Sequence, residues 1–116
     1  MESLPPLEDN FVVFERGIKE EVEAGATVEL ISVGEPGSWD VEGWYMIVRR
    51  PDGRALLLLT TLNPKAKFIR TTKSIMRLLR PLPLRNINFP MTPMIHHHED
   101  IWNYHHKANQ HRRPMS

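Results

Sequence analysis

Residues 44–60 read WYMIVRRPDGRALLLLT, and they predict two antiparallel strands joined by a tight turn. The strands are expected at 44–50 and 54–60, with the turn at 51–53. In the turn, proline presets φ, aspartate caps the backbone locally and glycine tolerates a positive φ. The leucines at 56–59 offer apolar side chains to both faces of a sheet, so the second strand is predicted to be central.

The residues around this hairpin predict the rest of the sheet. Alternation in the strand 44–50 places Trp44, Met46 and Val48 on one face and Tyr45, Ile47 and Arg49 on the other. The β-branched run 27–33 predicts a strand before the hairpin, since a glycine- and proline-containing turn follows it. Short strands are also expected at 67–70 and 86–89.

Two helices are predicted from periodicity and from their ends. Residues 11–24 show apolar side chains every three or four positions, although the run 11–14 is also strand-like, and Gly25 is a natural stop. Residues 73–80 follow Thr72 as a cap and precede two prolines. The expected fold is therefore α+β: a three- or four-stranded antiparallel sheet with one or two helices on one face.

The domain organisation follows from composition. Residues 1–10 are acidic and proline-rich and predict a disordered arm. Residues 11–90 are expected to form one α+β domain, and residues 91–116, which hold all six histidines, a flexible histidine-rich tail. At 116 residues the chain fits a single core, which argues against a separate cofactor module.

Composition excludes several classes of protein. The chain has no cysteine, so disulfides, thiolate nucleophiles and cysteine-based metal sites are absent. No apolar run is long enough to span a bilayer, and the start of the chain lacks the layout of a signal peptide. We therefore expect a cytoplasmic protein that makes no membrane contact.

Charge is segregated along the chain although the formal net charge is only +1. Residues 1–42 carry eleven acidic and two basic side chains, whereas residues 43–90 carry ten basic and one acidic. This asymmetry indicates either a polyanionic partner for the basic block or mutual neutralisation of the two blocks within the fold. Both alternatives remain open at this point.

Six cations form the candidate site, which we expect to bind nucleic-acid phosphates. Three of them lie on or before the short strand 67–70, and three lie at i, i+4 and i+7 on the helix 73–80. They are Lys65, Lys67, Arg70, Lys73, Arg77 and Arg80. The alternatives are a solvated polar face, pairing with the acidic first helix, or an adaptor or self-associating module that uses that helix or a sheet edge.

The remaining chemistry-bearing residues predict neither an enzyme nor a cofactor. The histidines of the tail lack the i, i+3 or i+4 spacing of paired helical ligands, so no metal site is assigned, and binding of Zn²⁺ or Ni²⁺ by the flexible tail stays a minor alternative. No nucleophile has a histidine base beside it, because every histidine lies in the tail. The large aromatic residues are expected in the core rather than as stacking platforms. They are Trp39, Trp44, Tyr45, Phe68 and Phe89.

Several of these stretches also occur, in this order, in a known family. A tryptophan-led strand, an Asp-Gly turn, a leucine-threonine strand, a basic-aromatic element and a helix succeed one another between residues 43 and 89. The stretches are 43–48, 51–54, 58–61, 67–70, 72–75 and 86–89. Together they resemble small plasmid-borne, partition-associated proteins of the ParC type. The resemblance implies a non-enzymatic accessory role in plasmid or mobile-element maintenance, near DNA and partition or replication proteins. The chain departs from that pattern at 81–83 and in its histidine-rich tail.

Overall fold

The computed structural model describes residues 11–62 and 64–110. Its elements, in chain order, are β1 Val12–Phe14, a short 3-10 helix Glu15–Gly17, α1 Ile18–Glu23, β2 Thr27–Gly34, β3 Val41–Arg49, β4 Ala55–Leu59, α2 Thr72–Leu79 and α3 Asp100–Gln110. The arm expected at 1–10 and the last part of the tail, 111–116, lie outside the described residues. The predicted fold class, α+β, is confirmed.

The sheet has four strands in the order β1-β4-β3-β2. The expected antiparallel pairing holds for β2, β3 and β4, with Ile47 of β3 opposite Leu57 of β4. β1 differs, because it runs parallel to β4, with Val13 opposite Leu58. A parallel neighbour requires a long crossover, and here α1, β2 and β3 all lie between the two strands along the chain. The sheet is therefore mixed.

The core lies on both faces of the sheet, because β4 is central and apolar on each side. Leu56 and Leu58 belong to the cluster that α1 and α2 cover, whereas Leu57 and Leu59 belong to the cluster that α3 covers. The alternation predicted for β3 places its side chains in the same two clusters. Helices therefore pack on both faces, where the sequence led us to expect one.

The predicted helix 11–24 is wrong over its first half. Residues Val12–Phe14 form a strand, and a 3-10 turn joins it to α1, which begins only at Ile18. Val12 and Val13 are β-branched and fit a sheet better than a helix. Helical periodicity from Phe11 onward was thus coincidental, while Gly25, with φ of 107°, does end the helical segment.

The predicted strand 86–89 does not form, and β1 occupies a sheet edge instead. Phe89 nevertheless packs edge-on against Trp44, with ring centroids 5.0 Å apart. The Trp44 Nε1 donates a hydrogen bond of 3.1 Å to the Pro90 carbonyl. Residues 86–90 are therefore held by side-chain contacts rather than by a strand ladder.

The structure also differs from the expected flexible tail over residues 91–110. Helix α3 packs on the sheet, and its Ile101 is only 1% exposed. His105 is buried, and its Nε2 lies 3.0 Å from the carbonyls of Phe11 and Ala55. These contacts close the second face of the core, so the domain extends beyond residue 90. Among the described residues, none of the helices has the length and apolar character needed to cross a membrane.

Candidate functional site

The first three candidate cations lie on a segment, residues 65–70, that occupies the gap where β3 and β4 diverge. β3 and β4 pair only from Ile47 onward, and the segment takes over the hydrogen bonds beyond that point. Its Lys67 nitrogen donates to the Leu58 carbonyl at 2.9 Å, and Ile69 exchanges two bonds of 2.8 Å with Trp44. The strand predicted at 67–70 is therefore reduced to isolated bridges, but the backbone is anchored to both neighbours.

Gly43 allows the segment to approach β3 this closely. A Cβ atom at Gly43 would lie 2.6 Å from the Ile69 carbonyl oxygen and 2.6 Å from the Phe68 ring. Both distances are far below ordinary van der Waals contact, so only glycine fits here without a shift of the backbone. The position of Arg70, one residue beyond Ile69, thus depends on a residue that carries no side chain.

The other three cations lie on α2 or, for Arg80, at its C-terminal cap, and the helix is amphipathic as predicted. Thr71, one residue before the expected cap, accepts a hydrogen bond of 3.1 Å from the Ser74 nitrogen. Ile75 and Leu79 are buried against the sheet. The three cations Lys73, Arg77 and Arg80 are exposed on the outer side of the helix. Met76, between them, is 47% exposed.

Five of the six candidate cations have no acidic partner within residues 11–62 and 64–110. Lys67 forms the exception, because its Nζ lies 3.5 Å from the Glu15 carboxylate. Arg70 instead places its guanidinium over the Phe68 ring, 5.6 Å from the centroid. The five unpaired side chains are Lys65, Arg70, Lys73, Arg77 and Arg80.

A groove marks the junction between the segment and the helix. It has a volume of about 230 Å³ and is lined by Lys67, Phe68, Ile69, Arg70, Thr71 and Ser74. Its walls therefore combine two cations with two hydroxyl groups. Sequence analysis did not identify Thr71 and Ser74 as part of this surface, because serine and threonine in a cap position are explained by the helix alone.

The acidic first block neutralises a different set of cations, those of the β3–β4 hairpin. Arg50 binds Glu21 of α1 through two hydrogen bonds, Nε to Oε1 at 2.9 Å and Nη2 to Oε2 at 2.7 Å. These bonds lower the pKa of the Glu21 carboxyl below its ordinary value. Arg49 binds Glu29 at 3.0 Å. Neutralisation within the fold, one of the two alternatives left open by the charge pattern, therefore holds for these hairpin cations.

Two histidines that the sequence assigned to a mobile tail are part of the packed structure. The Tyr45 hydroxyl lies 2.7 Å from the His98 Nδ1, and the His98 Nε2 lies 3.3 Å from Glu42. Burial raises the pKa of the Tyr45 hydroxyl above its ordinary value. Burial lowers the pKa of His105, whose Nε2 faces two carbonyls, so that neutral ring donates to them. Both histidines join the C-terminal segment to the sheet.

The expectation that the large aromatic rings lie in the core holds for Trp44 and Tyr45, each 5% exposed. It is wrong for Trp39, which is 81% exposed in the loop between β2 and β3. Phe68 is half-buried and packs on Tyr45 and His98, with centroids 5.1 Å and 4.5 Å away. The Phe68 ring is thus engaged within the fold.

Within the described part of the chain, histidine, aspartate and glutamate side chains form no group of three or more that could hold a metal ion. The site is therefore a surface of free cations around a shallow groove, carried by a wedged backbone segment and a short helix. A comparison with protein-family models, curated proteins and solved structures finds no match to this chain.

Proposed function

We propose that the protein is a non-enzymatic, cytoplasmic accessory protein that binds nucleic acid through residues 65–80. The observation that carries this proposal is the exposure of five cations that have no acidic partner among the residues the structure describes. Folding uses the hairpin arginines in ion pairs and leaves the second group facing solvent. Such side chains bind a phosphate backbone through the release of its condensed counterions.

Local charge supports the same conclusion. No acidic residue occurs between Asp52 and Glu99, so the surface and the chain around it contribute only positive or neutral side chains. Among the described residues, the carboxylate that reaches the surface is that of Glu15, which contacts Lys67 at 3.5 Å between half-exposed side chains. A contact of this kind is weak and is readily exchanged for a phosphate.

The surface fits the phosphate backbone better than the bases. Its nearest aromatic ring, Phe68, is covered by Arg70 and packs on its neighbours, so it offers no free platform for a base. Base-edge recognition would need amide or arginine side chains that enter a groove, and no residue of the surface is assigned that part. We therefore propose that this surface binds nucleic acid without sequence preference. It should bind a duplex more tightly than a single strand, because the duplex has the higher charge density.

The test measures fluorescence anisotropy of labelled duplex and single-stranded DNA and RNA of about 20 nucleotides, each over a salt series. We expect the logarithm of the association constant to fall with the logarithm of salt concentration, with a slope of about −4.5 for duplex DNA, from five phosphate contacts. The double variant Arg77→Glu/Arg80→Glu should bind about a hundredfold more weakly at low salt.

A matched control reverses two exposed cations elsewhere, Lys19→Glu/Lys107→Glu, which should retain most of the affinity. The proposal fails if the wild-type protein shows no binding at low salt. It also fails if both double variants bind equally well, because the contact would then not be localised to residues 65–80.

A role in plasmid or mobile-element maintenance stays a proposal based on the resemblance over residues 43–89. Non-specific duplex binding is compatible with an accessory part in such a process. The alternative of an adaptor that uses the acidic helix has less support, because Glu21 on that helix and Glu29 on β2 are already bound by arginines.

A further inference from the structure

An exposed apolar patch lies at one corner of the molecule, on residues that do not line the groove described above. It combines the loop 35–40, which carries Trp39, with the segment 91–94. Trp39 is 81% exposed, Met91 is 62% exposed and Met94 is 44% exposed. We call this surface the Trp39 corner. Large apolar side chains grouped on a surface mark an interaction site more often than isolated ones do.

The loop presents Trp39 on a defined backbone. Pro36 and Gly37 are the central residues of a β-turn with a hydrogen bond of 3.2 Å from the Ser38 nitrogen to the Glu35 carbonyl. Gly37 has φ of 80°, as the third position of a type II turn requires. The Ser38 hydroxyl then binds the Glu35 carbonyl at 2.8 Å. The indole is therefore held out from the surface at little cost in loop entropy on binding.

The two parts of the corner are joined at Gly34. A Cβ atom there would meet the Asp40 carbonyl and would lie 2.8 Å from Cγ of Pro93. The segment is further fixed to β2, because the Ser32 hydroxyl donates to the Thr92 carbonyl at 2.6 Å and the Met94 nitrogen donates to the Ser32 carbonyl at 3.0 Å. Trp39 is next to Asp40 and Met94 is next to Pro93, so the loop and the segment meet at this junction.

Charge defines what this corner can bind. The chain contains no lysine or arginine in residues 20–48 or 86–106, which include the whole corner. Glu35 and Asp40 are exposed and have no ion pair with any described residue. An indole beside unpaired carboxylates favours cationic side chains, through the ring face and through charge. A nucleic acid is disfavoured at the same place.

We propose that the Trp39 corner binds α2 of a second copy of this chain. The outer side of α2 has the complementary chemistry, since it exposes Lys73, Arg77 and Arg80 beside the half-exposed Met76. The methionine packs on the indole and the cations meet the carboxylates. The chain thus carries both halves of one contact.

The positions of the two halves favour a closed dimer. Trp44 and Ile69 form an antiparallel bridge, so the chain before Trp44 and the chain after Ile69 leave the sheet at the same end. The loop 35–40 and the start of α2 therefore lie at that end together. Two copies related by a two-fold axis can then place each α2 on the other's corner, which makes the contact reciprocal.

This inference does not rest on nucleic-acid binding, but the two functions share α2. If both hold, the dimer covers Arg77 and Arg80, and nucleic acid competes with the second copy for them. Adding duplex DNA should then convert dimers into DNA-bound monomers, in proportion to the DNA added.

The experiment is sedimentation velocity over a concentration series of the full chain at pH 7.5, at low and high salt. We expect a wild-type dimer that dissociates as salt is raised. Trp39→Ala should weaken dimerisation at least about tenfold, and Arg77→Glu/Arg80→Glu should do the same. Leu62→Ala, which truncates another fully exposed apolar side chain, should have no effect. Because Trp39 is exposed, its replacement leaves the core intact.

Mixing the two defective variants provides the most specific result. Trp39→Ala retains an intact α2, and Arg77→Glu/Arg80→Glu retains an intact corner, so a mixed dimer keeps one of its two contacts. We expect the mixture to contain more dimer than either variant alone. Equal amounts would overturn the proposal, as would a wild-type monomer at all concentrations or a dimer that persists in Trp39→Ala.

Failure of this inference and failure of nucleic-acid binding give different results. If Trp39→Ala binds duplex DNA like the wild type and the wild type never dimerises, only the inference fails. If the dimer forms and no DNA binds, only the proposed function fails. A synthetic lysine- and leucine-containing peptide that saturates the corner of a wild-type monomer would assign the corner to a basic partner protein and overturn the second copy as its occupant.

Discussion

The two groups of cations in the basic block have opposite roles in the structure. The hairpin group, Arg49, Arg50 and Arg54, contacts carboxylates, at 3.0 Å for Arg49 and 2.7 Å for Arg50. The surface group at residues 65–80 makes one such contact, Lys67 with Glu15 at 3.5 Å. The linear sequence treats both groups alike, since each lies in the same acid-poor stretch. Only the first is neutralised inside the fold.

Sheet pairing explains the difference. Arg49 lies opposite Thr27 in the β2–β3 register, so Glu29 is its diagonal neighbour on the same face, within reach of a long side chain. α1 then brings Glu21 to Arg50 across the end of the hairpin. The surface group lies on the segment between β3 and β4 and on α2, where Glu15 is the only acidic neighbour found within residues 11–62 and 64–110. A cation is thus available to an outside partner when no acidic strand or helix passes beside it.

The largest effect is expected from Gly43→Ala, at the close contact between β3 and the segment 65–70. The new methyl would collide with the Ile69 carbonyl at 2.6 Å and displace the segment that carries Lys67 and Arg70. We expect a loss of about 2–4 kcal/mol in the free energy of unfolding. Urea denaturation measures this, and the control is Gly17→Ala, where φ is −95° and the nearest atom to a new Cβ is Cγ2 of Val13 at 3.4 Å.

The affinity of Gly43→Ala for DNA is a second measurement of the same effect. Movement of the segment separates its cations from those of α2, so affinity should fall, while the Arg50–Glu21 pair stays formed. Unchanged stability and unchanged affinity would show that the wedge does not position the surface group.

A smaller loss of unfolding free energy, about 2 kcal/mol, is expected when the charge of Arg50, one partner of the hairpin ion pair, is reversed. Arg50→Glu removes a bidentate ion pair and places two carboxylates together in a half-buried site. Arg77→Glu, on the free surface, should change the unfolding free energy by less than about 0.5 kcal/mol. Restored stability in the double swap Glu21→Arg/Arg50→Glu would attribute the loss to the pair. Equal destabilisation by the two single variants would contradict the comparison.

The smallest expected effect is a pH dependence of stability. The hydrogen bonds from Arg50 lower the pKa of Glu21 in the folded protein below its ordinary value of 4.5. The pair therefore contributes stability above pH 4.5, and that contribution is lost as the pH falls through the lowered value. Glu21→Gln should reduce the loss of unfolding free energy at acid pH, by about 1 kcal/mol at most. Glu23→Gln, exposed on the same helix, should leave it unchanged, and an identical effect of both variants would refute the assignment.

Most of the sheet and α2 could be predicted from sequence because their signals are local. The turn 51–53, the alternation in β3 and the leucine run of β4 each specify backbone or burial within a few residues. The structure confirms the hairpin, with φ of 93° at Gly53, and the burial of β4. At residues 11–14 two local signals disagree, because the spacing of apolar residues predicts a helix and the β-branched residues predict a strand. The strand is the element that forms.

The residues of the candidate site could be predicted from the sequence, but their arrangement and surroundings could not. Its six cations could be named from spacing alone, but their exposure, the Lys67 contact and the groove with Thr71 and Ser74 depend on the segment between β3 and β4. Trp39 was assigned to the core by residue type, and no local signal in the sequence distinguishes a presented indole from a buried one. His98 and His105 were assigned to a tail, because a helix of mixed polarity shows little sign of its packing surface.

The amino-acid sequence alone predicts the strands of the hairpin, the amphipathic helix, the segregation of charge and the absence of cysteine chemistry. Those properties arise from neighbours within a few residues, where backbone preference and side-chain period act directly. Which arginines are neutralised, which face α3 closes and which tryptophan reaches solvent depend on contacts between residues up to 94 positions apart, such as Phe11 with His105. Such contacts exist only after the chain has folded, because a long loop must close before their energy is gained.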